Sequence, residues 1–129
     1  FEGFRAHVYT DIAGHKTVGY GARVYNFRNI SVTKIQADIM LRKSLNTISD
    51  FIDEIHCGLN QNQHDALCDF CFNCGTGAYL HSELKCYVDI DASPESIKKQ
   101  FLLWIYAGGK KRDALITRRT WEANLYNKK

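Results

Sequence analysis

The sequence predicts an α+β fold: a small antiparallel β lobe near the N-terminus, a long helix, and a mainly helical remainder. Residues 7–27 are rich in Val, Tyr and Thr and punctuated by glycines, which is strand and turn chemistry. From Thr33 onward the apolar residues recur at helical spacing instead. Strand and helix signals do not alternate, which argues against a parallel βαβ sheet. The chain has 129 residues, 45% apolar and 24% charged, enough to bury one core without disulfide or metal staples.

Each element has a local reason. Residues 7–27 read as a hairpin or three-stranded sheet with a turn near Ile12–His15. Thr33 with Gln36 forms a capping box, each side chain satisfying the other's exposed backbone N–H. Ile35, Ile39, Leu41, Leu45, Ile48, Ile52 and Ile55 follow at spacings that predict one apolar face on a helix over 34–55, with Gly58 as its stop. Such a helix is roughly 33 Å long at ~1.5 Å per residue, enough to join two lobes. A second capping box, Asn60 with Gln63, opens a helix that ends before Gly75-Thr76-Gly77, and Ser82 starts another short one. Ser93-Pro94-Glu95 supplies a capping hydroxyl, a first-turn proline and a carboxylate at the positive helix end. That helix is expected to carry Phe101, Leu102, Trp104 and Ile105 as far as Gly108-Gly109. Asp113 caps a last helix through about Tyr126, basic on one side and apolar at Leu115, Trp121 and Leu125. The expectation is one domain over 1–129: a β lobe at about 6–30, a connecting helix at about 34–55 and a helical lobe at about 59–127.

Several function classes lose support. The longest strongly apolar run, Phe101–Ala107, is too short to span a bilayer. Five cysteines cannot all pair internally, and a reducing compartment is the simpler reading. Cys68, Cys71 and Cys74 spell C-x-x-C-x-x-C, the spacing of an iron–sulfur or zinc motif, but on a helix they interleave with Phe70 and Phe72 and read as buried free thiols. His7, His15, His56, His64 and His81 form no H-E-x-x-H pattern, and Gly108-Gly109-Lys110 lacks the spacing and hydroxyl of a phosphate-binding loop. No metal and no cofactor is expected. Residues 1–97 hold eight Lys/Arg against twelve Asp/Glu, whereas residues 98–129 hold nine against two. A basic C-terminal third suits an anionic partner (nucleic acid, membrane surface or acidic wall polymer) or a merely solvated basic face.

Glu2, Asp11 and Thr17 stand around the predicted hairpin: an acid before the first strand, an acid at the turn, a hydroxyl on the returning strand. Glycoside hydrolysis needs that kit, a protonated carboxyl for the leaving oxygen and a carboxylate to activate or stabilise.

The wording around these residues is more specific than their spacing. Glu2-Gly-Phe-Arg-Ala-His-Val-Tyr-Thr-Asp11 and Gly14-His-Lys-Thr17-Val-Gly-Tyr-Gly21 resemble the phage-type lysozymes, or endolysins, of glycoside hydrolase family 24. The resemblance continues through Leu59–Leu67, Phe70–Gly77, Trp104–Gly109 and Leu115–Arg119, in order and over nearly the whole chain. It implies a lysozyme-like fold and hydrolysis of the β-1,4 bond between N-acetylmuramic acid and N-acetylglucosamine in peptidoglycan, for bacterial cell-wall lysis. By the same resemblance Glu2 is the general acid, Asp11 the carboxylate orienting the attacking water, and Thr17 the hydroxyl holding that water. Phe72, Asn73 and Ser82 fall where the family lines the far wall of its cleft, although a core aromatic is as ordinary a reading of Phe72 and a helix cap the more ordinary reading of Ser82. Arg118 or Arg119 is expected to hold the geometry of Glu2. The implied partner is peptidoglycan, with no nucleic acid and no stable membrane insertion, for a monomer made in the host bacterial cytoplasm and acting on the wall. The chain begins at Phe1 rather than Met, so a removed export or anchor segment is compatible with it.

Two departures bear on this reading. Ala22 stands where many relatives have histidine after G-x-G, which predicts some loss of stability. Relatives also have helical residues before the catalytic Glu, and without them Glu2 would sit on a frayed terminus. Three rivals remain: a catalytically impaired peptidoglycan-binding module, a lytic transglycosylase, and a basic nucleic-acid-binding domain. A hydrolase is favoured over a transglycosylase because Asp11 and Thr17 supply water activation.

Overall fold

The computed structural model describes the backbone of residues 5–10, 16–19 and 22–23, and residues 33–129 in full. Two compact units, Phe1–Asn46 and Thr47–Lys129, meet within one helix. In the first unit, β1 (Arg5–Thr10), β2 (Lys16–Gly19) and β3 (Ala22–Arg23) form a three-stranded antiparallel sheet in the order β1-β2-β3. Tyr9 pairs with Thr17 and Thr10 with Lys16, after a register shift between Arg5 and Tyr9, and Thr17 pairs on its other side with Arg23. The three-stranded form of the prediction is the one realised. Its turn near Ile12–His15 lies outside the described residues.

Helix α1 spans Lys34–Ile55. The Thr33–Gln36 capping box forms, with backbone-to-side-chain bonds of 3.0 and 3.1 Å. The predicted apolar face needs correcting. Ile35 and Ile39 are 74% and 60% exposed, whereas Ala37, Ile48 and Ile52 are buried. At ~100° per residue, Leu41, Ile48 and Ile52 define a stripe from which Ile35 and Ile39 stand roughly 120–160° away, while Ala37 lies on its edge. The two-residue step from Ile39 to Leu41 turns the helix by ~200°, so the spacing expected to make one face divides into two.

In the second unit, α2 (Gln61–Cys74), α3 (Thr76–Leu80), α4 (Glu83–Asp89), α5 (Pro94–Phe101) and α6 (Asp113–Asn127) follow the end of α1. Asn60 and Gln63 close the predicted capping box, and the Ser82 and Ser93 side chains cap α4 and α5. Helix α2 buries Ala66, Leu67, Phe70 and Cys71, one face at i, i+1, i+4 and i+5. Helix α2 packs on α6, and α5 packs on both α4 and α6. Phe70 is the hub, with ring centroids 6.0 Å from Tyr79, 5.8 Å from Phe101 and 5.3 Å from Trp104, all edge-on.

Two further expectations give way here. The helix starting at Pro94 ends at Phe101, and Ile105–Lys111 turns instead into a hairpin of β4 (Tyr106–Ala107) and β5 (Lys110–Lys111). Gly108 and Gly109 both take positive φ, +61° and +77°, which suits the tight turn that right-twisted strands require. The last helix runs as predicted, but its buried face is Arg118, Arg119, Glu122, Ala123 and Tyr126, and Trp121 is 47% exposed. Asp113 is the first residue of α6; Arg112 occupies the cap position and makes no side-chain cap bond. No helix among the described residues is long and apolar enough to cross a membrane.

Candidate active site

The residues that the resemblance singles out divide sharply. Glu2 and Asp11 lie outside the described residues. Thr17 is on the central strand β2, one residue in from its start. Phe72, Asn73, Ser82, Arg118 and Arg119 all lie in the second unit, where the last two do not form a solvated basic side.

Arg119 and Glu122 are fully buried, and Arg118 nearly so. Arg118 forks onto Asp69, with Nε to Oδ2 and Nη2 to Oδ1 both at 3.0 Å. This is the bidentate geometry in which guanidinium and carboxylate fit best. Arg119 donates through Nη2 to Asn73 Oδ1 at 2.7 Å and Glu122 Oε2 at 3.1 Å, and through Nη1 to Cys74 Sγ at 2.7 Å. Its guanidinium lies 5.0 Å from the Phe70 ring centroid, a cation–π contact in a dry setting. Arg119 Nε approaches Glu122 Oε1 to 2.9 Å, yet neither atom makes a hydrogen bond.

The two carboxyls respond in opposite directions. Burial and the hydrogen bond to Asp69 push Glu122 well up, to about 10; Arg119 and Arg118 oppose that shift without reversing it. Burial also acts to raise Asp69, but the hydrogen bonds from Glu122 and Arg118 and the charges of both arginines outweigh it and hold Asp69 below the usual range. A protonated Glu122 beside an ionised Asp69 leaves one excess positive charge among the four groups.

Sequence reasoning missed Asp69 and Glu122. The spacing Arg118 to Glu122 is i,i+4, and Arg119 to Glu122 is i,i+3, which mark one helix face. Asp69 stands one helical turn before Asn73 on α2. Asn73 is thus tied to α6 through Arg119. Phe72 is half-buried at the edge of the core. Ser82 is buried, its hydroxyl donating to Tyr79 O at 2.6 Å and accepting from Lys85 N at 3.1 Å, so the capping role is realised.

The cysteine and histidine chemistry is internal. All five thiols are free; Cys71 is in the core, and Cys68 and Cys74 are half-buried beside it. Burial raises the Cys68 thiol to about 12 and raises Cys71 and Cys74 as well. His56 bonds the buried Tyr79 hydroxyl at 2.6 Å and stands 3.4 Å from Asp89, while His64 bonds Ser49 at 3.1 Å and stands 3.3 Å from Asp53. Among the described residues, no group of three His, Cys, Asp or Glu side chains suits a metal ion. A polar depression of about 370 Å³ lies between Ser49, Asp53, His56 and His64, and no residue predicted for the site lines it.

A small antiparallel sheet leading into a long helix and a helical unit is the architecture of a lysozyme-like protein. The family model described as phage lysozyme matches residues 1–122, and the chain belongs to that family. It is 32% identical over 132 residues to an endolysin of Bacillus phage PZA, covering 98% of this chain and 50% of that protein. It is 32% identical over 131 residues to an endolysin of Salmonella phage P22, covering 97% and 88%. The chain therefore spans about half the length of the Bacillus phage relative. Among solved structures, the muramidase domain of SpmX from Asticaccaulis excentricus aligns with a TM-score of 0.81 at 29% identity, covering 99% of this chain and 90% of that one.

Proposed function

We propose that this chain is a muramidase, a glycoside hydrolase cleaving the β-1,4 bond between N-acetylmuramic acid and N-acetylglucosamine of peptidoglycan in bacterial cell-wall lysis. The observation that carries this reading is the family match over residues 1–122, which includes the motif from Glu2 to Gly21. The names of its relatives, endolysins and a muramidase domain, support it.

In this mechanism Glu2 donates its proton to the leaving glycosidic oxygen. Asp11 orients the attacking water and Thr17 holds it. Inversion at the anomeric carbon requires the two carboxyls to stand far enough apart to admit that water. Phe72 and Asn73 are assigned to sugar binding, Asn73 being fixed in place by Arg119. Ser82 contributes by fixing the junction of α3 and α4. Catalysis as an acid near neutral pH demands that the Glu2 carboxyl be protonated there. Arg118 and Arg119 act as positioning residues, Arg119 through its bond to Asn73. The protein acts as a monomer on the wall after synthesis in the host cytoplasm.

The test is clearing of purified peptidoglycan, with mass spectrometry of the released fragments. Reducing-end N-acetylmuramic acid is expected. Glu2→Gln retains binding but loses nearly all turnover, because an amide cannot donate the proton. Anhydro-muramic acid products would replace this reading with a transglycosylase, and binding without any fragments would replace it with a binding module.

A further inference from the structure

The basic character of residues 98–129 is not evenly presented. Arg118 and Arg119 are buried against Asp69 and Glu122 and offer no charge to a partner. The outward-facing cations concentrate in residues 98–112, which contain Lys98, Lys99, Lys110, Lys111 and Arg112 and no Asp or Glu; the next acid is Asp113. Lys99, Lys110 and Lys111 are exposed.

The same segment exposes apolar surface. Leu103 is 61% and Tyr106 58% exposed. The cause lies in the hairpin: Ile105 and Ala107 alternate inward and are buried, which turns Tyr106 out. Tyr106 pairs with Lys111 across the two strands, so the two side chains share one face of the hairpin. The platform is held firmly. Arg112 N donates to Ile105 O at 2.9 Å, and Arg112 Nε donates to Ala107 O at 3.1 Å.

We propose that the β4–β5 hairpin, with Leu103 before it, is a peripheral docking surface for an anionic lipid bilayer. A bilayer interface accepts both parts of this surface at once. The lysines meet anionic headgroups, while Leu103 and the Tyr106 ring sink to the headgroup boundary. A purely ionic wall polymer would use the lysines and leave Leu103 and Tyr106 in water. Attachment is by adsorption, without any segment crossing the bilayer, and it does not depend on the muramidase reading.

The experiment is co-sedimentation of the chain with vesicles of phosphatidylglycerol and phosphatidylcholine, with pure phosphatidylcholine vesicles and lipid-free sacculi run alongside. The chain is expected to pellet with the anionic vesicles and to be released as salt shortens the screening length. Each lysine near such a surface contributes about a five-fold factor, so K110E/K111E should weaken binding at least ~10-fold. L103S/Y106S should weaken it several-fold at unchanged salt dependence. All four side chains are exposed, and unchanged circular dichroism checks that each variant is folded; K110Q/K111Q replaces the charge reversal where it is not. Equal binding to neutral vesicles, or anionic binding indifferent to both double substitutions, overturns the proposal. So does loss of sacculus binding in K110E/K111E when the unaltered chain ignores anionic vesicles, since the hairpin then serves a wall polymer.

Discussion

Arg119 is the most heavily committed side chain of the helical unit, and its replacement by methionine tests the account of the polar cluster. Methionine keeps an unbranched apolar stem against Phe70 while removing the charge. The substitution deletes the bonds to Asn73, Cys74 and Glu122 and the cation–π contact, and leaves Glu122 buried without its nearest guanidinium. Leaving the Asn73 and buried Glu122 acceptors without their donor costs about 3–5 kcal/mol in total. At roughly 3–6 °C per kcal/mol for a chain of this size, the melting temperature should fall by about 9–30 °C. Replacing both partners is different, because the double variant Arg119→Met/Glu122→Leu leaves no stranded ionisable group between them. It should cost less than Arg119→Met alone, with a coupling energy of about 2 kcal/mol or more from the double-mutant cycle. Urea unfolding followed by circular dichroism measures all four corners. A double variant as unstable as the sum of the two singles would refute the reasoning, since the two groups would then be independent.

Other consequences are simpler to check. Burial holds His56 below its ordinary value of 6.5, against the pull of Asp89, so it is neutral beside Tyr79. Its contribution is therefore present above pH 6.5 and lost as pH falls through the depressed folded value, where the unfolded chain takes up the proton first. His56→Gln should flatten that part of the stability–pH curve, measured by urea midpoints between pH 7.5 and 5. Iodoacetamide at pH 8 should add two groups to the native chain, at the exposed Cys57 and Cys86, before Cys68, Cys71 and Cys74 react, as read by peptide mass spectrometry. Rapid labelling of Cys71 would contradict its place in the core. Asn60→Ala removes the acceptor for Gln63 N and should destabilise the chain by about 1 kcal/mol; an unchanged urea midpoint would show that the capping box carries no weight.

Local chemistry was readable wherever a few neighbouring residues decide the outcome. The boxes at Thr33–Gln36 and Asn60–Gln63, the Ser82 and Ser93 caps and the bounds of α1 were legible because caps act within one turn of the chain. The order of family motifs made the fold and family legible as well. Glu2, Asp11 and Thr17 were likewise named from their motif, and their roles rest on it. What only the tertiary structure decided is which neighbours each face meets. Ile35 and Ile39 are apolar yet exposed, because burial depends on helical angle and on what packs opposite. Ile105–Lys111 left the predicted helix for a hairpin, because two glycines at positive φ and the packing of Ile105 and Ala107 outweigh local helix propensity. Arg118 and Arg119 are expected from sequence on a basic helix side and beside Glu2. It is the tertiary structure that buries Arg118 against Asp69, forty-nine residues away, and Arg119 against Glu122. No window of sequence contains both ends of the Arg118–Asp69 contact, and a buried guanidinium is tolerable only when both are present.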